Sequence, residues 1–173
     1  MAKTPSRPKR PADLKFSETH EWVRVDGAEA VVGISDYAVG QLSDLVSIEL
    51  PKVGTVVEVE SPMGEIESVK TVAELVSPVG GRVATVNKDV VDNVDLLAES
   101  PYDDGWLVRV KMKDPKDLDH LMSTKDYEEY LKTLHEEEAD DKRVKEDEDP
   151  VEEEEDEEED EEEEADEDDE PES

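Results

Sequence analysis

Short runs of alternating apolar and polar residues, each closed by a turn signal, limit most strongly what this chain can fold into. Residues 21–25 alternate, Asp26 and Gly27 then form a strong hairpin signal, and residues 28–34 supply a partner strand. Similar runs occur at residues 45–50 and 106–112. Many short strands separated by frequent turns predict a mainly β protein, built as an antiparallel sandwich or barrel.

Helix signals occur between the strands and near the end of the patterned region. Ser35 can cap a short helix of about two turns. Farther along, Asp114 and Pro115 supply an N-cap and a first-turn proline, and Ser123 or Thr124 can cap another helix. That last helix has apolar residues at helical spacing: Tyr127, Tyr130, Leu131 and Leu134. We expect both C-terminal helices to pack across the sheet.

Charge divides the chain into three parts. The chain has 53 acidic and 19 basic residues, a formal net charge of −34, but from Glu146 onward 23 of 28 residues are acidic. Segments so charged and so poor in apolar residues do not fold alone, so we expect a disordered acidic tail over residues 136–173. The basic, proline-rich residues 1–12 are also expected to be disordered. One domain, residues 13–135, remains.

Composition also excludes several classes of protein. The net negative charge disfavours nucleic-acid binding, because phosphates would be repelled. There is no cysteine, which excludes disulfides, thiolate metal sites and thiol nucleophiles. No apolar run approaches the roughly 20 residues of a membrane span, and the basic N-terminus lacks the apolar core of a secretory signal. We expect a cytoplasmic, monomeric protein without a membrane role.

Lys70 is the residue whose setting most clearly indicates a function. It lies in the segment GEIESVKT, residues 64–71, between the strand-like residues 54–60 and 75–86. This arrangement predicts a lysine at a hairpin tip, where an acylated side chain could swing between partners. Because a lysine amine is protonated and weakly nucleophilic at neutral pH, attachment requires an enzyme that recognises the hairpin. Taken alone, such a lysine is more often an ordinary solvent-facing turn residue.

Several segments, in order and with compatible spacing, carry a family resemblance. They are residues 15–22 (KFSETHEW), 33–38 (GISDYA), 50–54 (LPKVG), 67–70 (ESVK), 77–81 (SPVGG) and 100–106 (SPYDDGW). Over about residues 14–135 the chain resembles the H-protein family of the glycine cleavage system, whose members are lipoyl carriers. The acidic tail lies outside the family pattern.

The resemblance implies a fold and a function. The fold would be a flattened antiparallel barrel-sandwich hybrid with short helices, and the chain would be a non-enzymatic carrier with lipoate attached covalently to Lys70. The carrier would take the aminomethyl group of glycine from a pyridoxal-phosphate-dependent glycine decarboxylase to an aminomethyltransferase. Dihydrolipoyl dehydrogenase would then reoxidise it. A lipoate ligase, or a lipoyl or octanoyl transferase, would attach the cofactor.

The same resemblance assigns roles to other residues. Thr19, Glu21 and Glu74 would line a cleft that receives the loaded arm, where carboxylates could bind the aminomethyl ammonium. Exposed polar residues on strand edges are the plainer interpretation of these three positions. Apart from the resemblance, we hypothesise that Glu67, three residues before the lysine, helps the attaching enzyme to recognise the lysine or keeps the tip solvated; an ordinary exposed strand acid is the alternative.

Two departures from the family pattern affect partner docking and the lining of the cleft. Tyr37 stands where the family often has histidine, and Thr71 where alanine is common. His20 suggests catalysis, but no serine or cysteine nucleophile accompanies it, so we expect a structural hydrogen bond. His120 and His135 also lack the spacing of metal ligands, and no metal site is expected.

Other functions remain open from the sequence. The chain could be a lipoyl carrier for another pathway, such as lipoate relay or sulfur oxidation, or a scaffold that is not lipoylated. The tail could be a solubilising extension, a recruiting element for a basic partner, or an adaptation to high salt. An enzyme is not expected, because no catalytic constellation is present.

Overall fold

The computed structural model describes residues 9–146, with side chains up to residue 139. One compact unit ends at His135 and contains every strand of the described region. The strands are β1 Lys15–Phe16, β2 Glu21–Asp26, β3 Glu29–Ile34, β4 Leu45–Glu49, β5 Val56–Val57, β6 Pro62–Ser68, β7 Val72–Val76, β8 Gly81–Val86, β9 Val108–Met112 and β10 Met122–Ser123. The helices are α1 Asp36–Leu42, α2 Lys88–Asp92, α3 Leu96–Glu99, a 3-10 helix Pro115–His120 and α4 Thr124–Glu146.

The strands form two antiparallel sheets. The larger has seven strands in the order β10-β1-β2-β3-β9-β8-β5, and the smaller has three in the order β4-β6-β7. The predicted mainly β architecture with short helices is confirmed. The arrangement is sandwich-like, and the larger sheet is not closed into a true barrel, because β10 and β5 end it and each is paired with one strand only. These end strands have two residues each and do not pair to close the sheet.

The predicted hairpin between β2 and β3 is present, with its turn one residue later than expected. Asp26 pairs with Glu29 as the last rung, so Gly27 and Ala28 form the loop. Gly27 has φ +62°, a left-handed conformation that glycine adopts without steric cost. Helix α1 follows β3 as predicted, because the Ser35 hydroxyl accepts a hydrogen bond from the Ala38 N–H at 3.2 Å.

Alternation along β2 and β3 directs side chains into two separate apolar clusters. Val23 and its cross-strand partner Val32 belong to the first cluster, which also includes Ile66 from the smaller sheet and therefore lies between the sheets. Trp22 faces the opposite way, into the second cluster, directly across from Gly33. Both faces of this hairpin are therefore buried.

Helix α4 covers the second cluster. The ring of Tyr127 stacks on Phe16 with centroids 4.2 Å apart and an interplanar angle of 3°. Leu131 is buried in the same cluster. Leu118, in the 3-10 helix, packs against the first cluster. The prediction that the C-terminal helices pack on the sheet is therefore confirmed.

The compact unit ends at His135, but the structure describes contacts and helix beyond both ends of the predicted domain. Arg10 donates two hydrogen bonds to the Asp36 carboxylate at 2.8 and 3.0 Å, and the Thr124 hydroxyl donates to the Pro11 carbonyl at 2.7 Å. Packing thus begins before residue 12, because these polar contacts tie the segment to α1 and α4. Helix α4 continues to Glu146, past residue 136, since Glu, Lys, Arg and Ala favour helices. The disorder predicted for residues 1–8 and 147–173 lies outside the described residues.

The contact between Trp22 and Gly33 gives a stability prediction. A Cβ at Gly33 would lie 2.3 Å from the indole ring, which is fully buried and donates from Nε1 to the Pro101 carbonyl at 2.9 Å. Gly33→Ala should therefore lower the free energy of unfolding by about 1–3 kcal/mol in urea denaturation.

Gly40 supplies the matched control. It lies in α1, and a Cβ there would meet nothing within 4 Å. Gly40→Ala should raise the free energy of unfolding by up to about 1 kcal/mol, because alanine favours the helix. A similar change in the two variants would contradict the packing argument.

Candidate functional site

The β6–β7 hairpin holds Lys70 at its tip. The register pairs Ile66 with Ala73 and Glu67 with Val72, which leaves residues 68–71 to turn the chain. Strand β4 pairs with the other side of β6 and so supports the hairpin from one edge. The predicted hairpin position of Lys70 is therefore present in the structure.

Ser68 closes the tip. Its N–H donates to the Thr71 carbonyl at 2.8 Å, and its hydroxyl donates to that carbonyl at 3.0 Å and accepts from the Thr71 N–H at 3.2 Å. The Val69 N–H donates to the Asp44 carbonyl at 2.9 Å. The backbone of Thr71 makes the closing contacts, so threonine, one of the two departures noted in the sequence, is compatible with the tip.

Lys70 itself is exposed. None of the ion pairs within residues 9–139 includes it. A free amine on a turn that the backbone holds in place can enter the active site of another enzyme. The geometry therefore suits covalent modification.

Glu67 lies on the outer face of the hairpin. It pairs across the sheet with Ser47, whose hydroxyl donates to the Glu67 carboxylate at 3.2 Å. Its side chain is exposed. Neither Glu67 nor Lys70 lines the groove described next.

A groove of about 330 Å³ lies between α1, the start of β2 and the smaller sheet. The structure brings Thr19, Glu21 and Glu74 together in its lining, and their role toward a loaded arm stays a prediction. The remaining lining is mainly apolar and comprises His20, Ile34, Tyr37, Ala38, Gln41, Leu42, Ile66, Ala73 and Leu75. Ile66 and Ala73 belong to the hairpin of Lys70, so groove and lysine share one rigid element.

Glu21 is a buried carboxylate, 2% exposed, and not a surface residue. Its position in β2 shares the inward face with Val23, which explains the burial. One carboxylate oxygen accepts from the Ser17 hydroxyl at 2.7 Å and from the Thr19 hydroxyl, and the other accepts from the Val76 N–H at 3.1 Å. Glu21 thus connects the two sheets.

Burial raises the pKa of the Glu21 carboxyl above its ordinary value, and the hydrogen bonds from Thr19, Ser17 and Val76 partly offset that rise. Ser17 is the residue that sequence reasoning missed. The sequence feature that could have identified Ser17 is a hydroxyl side chain four residues before Glu21, an acid whose side chain is directed inward by strand alternation. Glu74, in contrast, is exposed and can meet a cation directly.

His20 has a structural hydrogen bond, as predicted. Its Nδ1 lies 2.8 Å from the Tyr127 hydroxyl, which is also 2.8 Å from the Ser35 hydroxyl. Burial lowers the pKa of His20 below its ordinary value. The ring of Tyr37 lies 4.8 Å from that of His20, so the residue that departs from the family pattern forms part of the groove wall.

Metal binding has no support in the part of the chain that the structure describes. It contains no group of three or more His, Cys, Asp or Glu side chains placed to hold a metal ion. Within the same residues, no helix is both long and apolar enough to cross a membrane.

Sequence comparison identifies the family. The family model described as glycine cleavage H-protein matches residues 14–134. The chain belongs to the glycine cleavage H-protein family. The predicted resemblance is thereby confirmed over nearly the whole folded domain, and the acidic tail lies beyond the matched residues.

Individual relatives agree with this assignment. The glycine cleavage system H protein of Bacillus cereus (strain G9842) is 44% identical over 119 residues, covering 69% of this chain and 94% of the relative. The H protein of Halalkalibacterium halodurans is 46% identical over 121 residues, covering 70% of this chain and 94% of the relative. A crystal structure of the H protein from Mycobacterium marinum matches with a TM-score of 0.63 and 35% identity, covering 68% of this chain and 95% of that one.

Family membership confirms the general function. H proteins are non-catalytic carrier subunits of the glycine cleavage system, so the prediction that this chain is not an enzyme is confirmed. Membership also supports a lipoyl carrier role in glycine cleavage, alongside the other components of that system.

His20 gives a prediction for stability against pH. Because the folded pKa is lowered, the unfolded chain binds the proton more readily, and stability is lost as the pH falls below the ordinary value of about 6.5. His20→Asn should reduce the fall in unfolding free energy between pH 7 and pH 5.5, measured in urea. Asparagine also tolerates the φ of +75° at this position.

His120→Asn is the control, since His120 is exposed. Comparing the two variants separates the replacement of a buried histidine from the replacement of an exposed one. The raised pKa of Glu21 makes the unfolding free energy rise as the pH falls, which is opposite to the effect of His20. Glu21 is present in the wild type and in both variants, so it does not affect the difference between them. Equal slopes in the wild type and His20→Asn would refute the assignment.

Proposed function

We propose that Lys70 is the lipoyl attachment site and that this chain carries the aminomethyl group of glycine between enzymes of the glycine cleavage system. The observation that carries the proposal is the exposed Lys70 amine on a hydrogen-bonded hairpin tip. The hairpin also forms one wall of the groove. Family membership supports the pathway.

The lipoyl group, when attached, supplies a disulfide that accepts the aminomethyl group and is reduced in doing so. The glycine decarboxylase would load the carrier, and the aminomethyltransferase would unload it. Dihydrolipoyl dehydrogenase would then restore the disulfide. A lipoate ligase, or a lipoyl or octanoyl transferase, would attach the group to Lys70. Cytoplasmic location and a monomeric state remain predictions from the sequence.

The groove is the proposed receiving site for the loaded end of the arm. Its apolar wall, which includes Ile66 and Leu75, suits an alkyl chain. Glu74 is the exposed carboxylate there and would bind the ammonium of the aminomethyl group. Glu21 would add negative charge from behind the wall, while Thr19 would hold Glu21 in place. Exclusion of water would slow loss of the group.

Glu67 has a proposed role in recognition and not in the groove. Its exposed carboxylate lies one cross-strand rung from the turn that bears Lys70. An attaching enzyme that reaches the lysine would therefore meet Glu67.

Intact mass and peptide mapping of the protein from its own host test the attachment site. We expect the mass of one lipoyl group on Lys70, and its loss in Lys70→Arg. Lys88→Arg, which changes an exposed lysine at the start of α2, should keep the modification. An unmodified Lys70 in cells whose other lipoyl proteins are modified would favour the alternative that the chain is a scaffold protein that is not lipoylated. A lipoylated chain that the decarboxylase does not load would favour another pathway.

Glu74→Gln tests the groove. The variant removes the exposed negative charge, so the aminomethyl group on the loaded carrier should be lost about 10-fold faster or more, measured by release of formaldehyde and ammonia. Glu65→Gln is the matched control, because Glu65 pairs with Glu74 on the same face but does not line the groove. If the aminomethyl group were lost at the same rate in both variants, Glu74 would not be part of the binding site.

A further inference from the structure

Three exposed valines lie around the tip that bears Lys70. Within the described residues, seven large apolar side chains are strongly exposed, and three of these are Val46, Val69 and Val72. Their exposed fractions are 53%, 72% and 57%. We call these three residues the valine collar.

The register brings the valine collar to one end of the smaller sheet. Val72 lies directly opposite Glu67, and Glu67 lies opposite Ser47, so the three side chains form a row across the outer face. Side chains opposite each other in antiparallel strands have Cβ atoms about 5 Å apart. Val46 precedes Ser47 at an irregularity in the register and is exposed beside it.

Val69 joins this row from the turn. Its N–H donates to the Asp44 carbonyl at 2.9 Å, immediately before β4. The backbone is therefore fixed, and the side chain stays in solvent next to Lys70. The collar thus includes residues from β4, from the turn and from β7.

The fold does not require valine at these positions. The inward-facing positions of the same strands, such as Ile48, Ile66 and Leu75, fill the core. Farther from the tip on the outward face, the exposed residues Glu49, Glu65 and Glu74 form a cross-strand row. An exposed apolar group surrounded by charge is typical of a protein interface.

We propose that the valine collar is the docking surface for the enzyme that acylates Lys70; this inference rests on the proposed function. The enzyme would offer an apolar centre to the valines and a basic rim to Glu67 and to the row of glutamates behind it. Charge complementarity of this kind would orient the encounter.

The length of the lysine side chain decides which partner the collar fits. The unmodified lysine has only a four-carbon stem, so the acylating active site must approach the turn closely. Enzymes that act at the far end of an attached arm can remain farther from the turn. The collar surrounds the turn and not the groove, and therefore fits the acylating enzyme.

The reaction at this surface is amide formation. The Lys70 ammonium first gives up a proton, and the neutral amine attacks the carbonyl carbon of an activated lipoyl adenylate. The carbonyl carbon–nitrogen bond forms as the bond from that carbon to the phosphate oxygen breaks. AMP leaves, and the nitrogen releases its second proton. Lipoate and ATP supply the adenylate through the ligase.

The test is steady-state lipoylation of the full chain by a purified lipoate ligase with ATP and lipoate. The triple variant Val46→Thr, Val69→Thr and Val72→Thr keeps β-branched side chains of similar shape and replaces one methyl with a hydroxyl at each position. We expect its KM as a protein substrate to rise about 10-fold or more, because three apolar contacts become polar ones. The thermal midpoint should match that of the wild type.

Val56→Thr is the matched control. Val56 is 63% exposed on β5 of the other sheet, and its substitution should leave the KM unchanged. An unchanged KM in the triple variant would overturn the collar proposal while leaving Lys70 as the attachment site. The collar proposal would also be overturned if the triple variant, after complete lipoylation, were defective only in loading by the decarboxylase.

Failure of Lys70 as the attachment site gives a different result. In that case wild-type chain, with the collar intact, would gain no lipoyl group from the ligase, and no comparison of KM values would arise. The collar inference would then also be refuted, because there would be no acylating partner for it to bind.

Discussion

A buried carboxylate joins the two sheets at the site. Glu21 begins β2 in the larger sheet and accepts a hydrogen bond from Val76 at the end of β7 in the smaller sheet. Strand β7 is one arm of the hairpin that bears Lys70, and both strands contribute to the groove. The relative position of lysine and groove therefore depends on this contact.

The contact is stable because the carboxylate has several donors. Burying an ionised acid is costly unless hydrogen bonds replace the lost water, and Ser17, Thr19 and Val76 provide them. The same arrangement places a negative group behind a largely apolar wall, with the exposed Glu74 in the same groove. A groove of this kind combines space for an alkyl chain with attraction for a cation.

At the tip of the hairpin the backbone is held in place, while two side chains are exposed. The Ser68 hydroxyl and the Asp44 carbonyl hold the turn, whereas Val69 and Lys70 extend into solvent. A partner enzyme therefore meets a surface that is already ordered, which lowers the entropy lost on binding. In the proposed function, the mobility that a carrier needs would come from an arm attached to Lys70.

Local patterns in the sequence determined much of this protein. The alternating strands, the Ser35 cap, the amphipathic start of α4 and the hairpin position of Lys70 all follow from residues close together in the chain. The tertiary structure alone decided that Glu21 meets Val76, 55 residues away, that Ser17 belongs to the same network, and that Val46 lies beside the end of β6 that leads to Lys70. It also decided that the larger sheet stays open, and that Arg10 binds Asp36. Such contacts depend on how sheets and helices pack, which local propensity and periodicity do not specify.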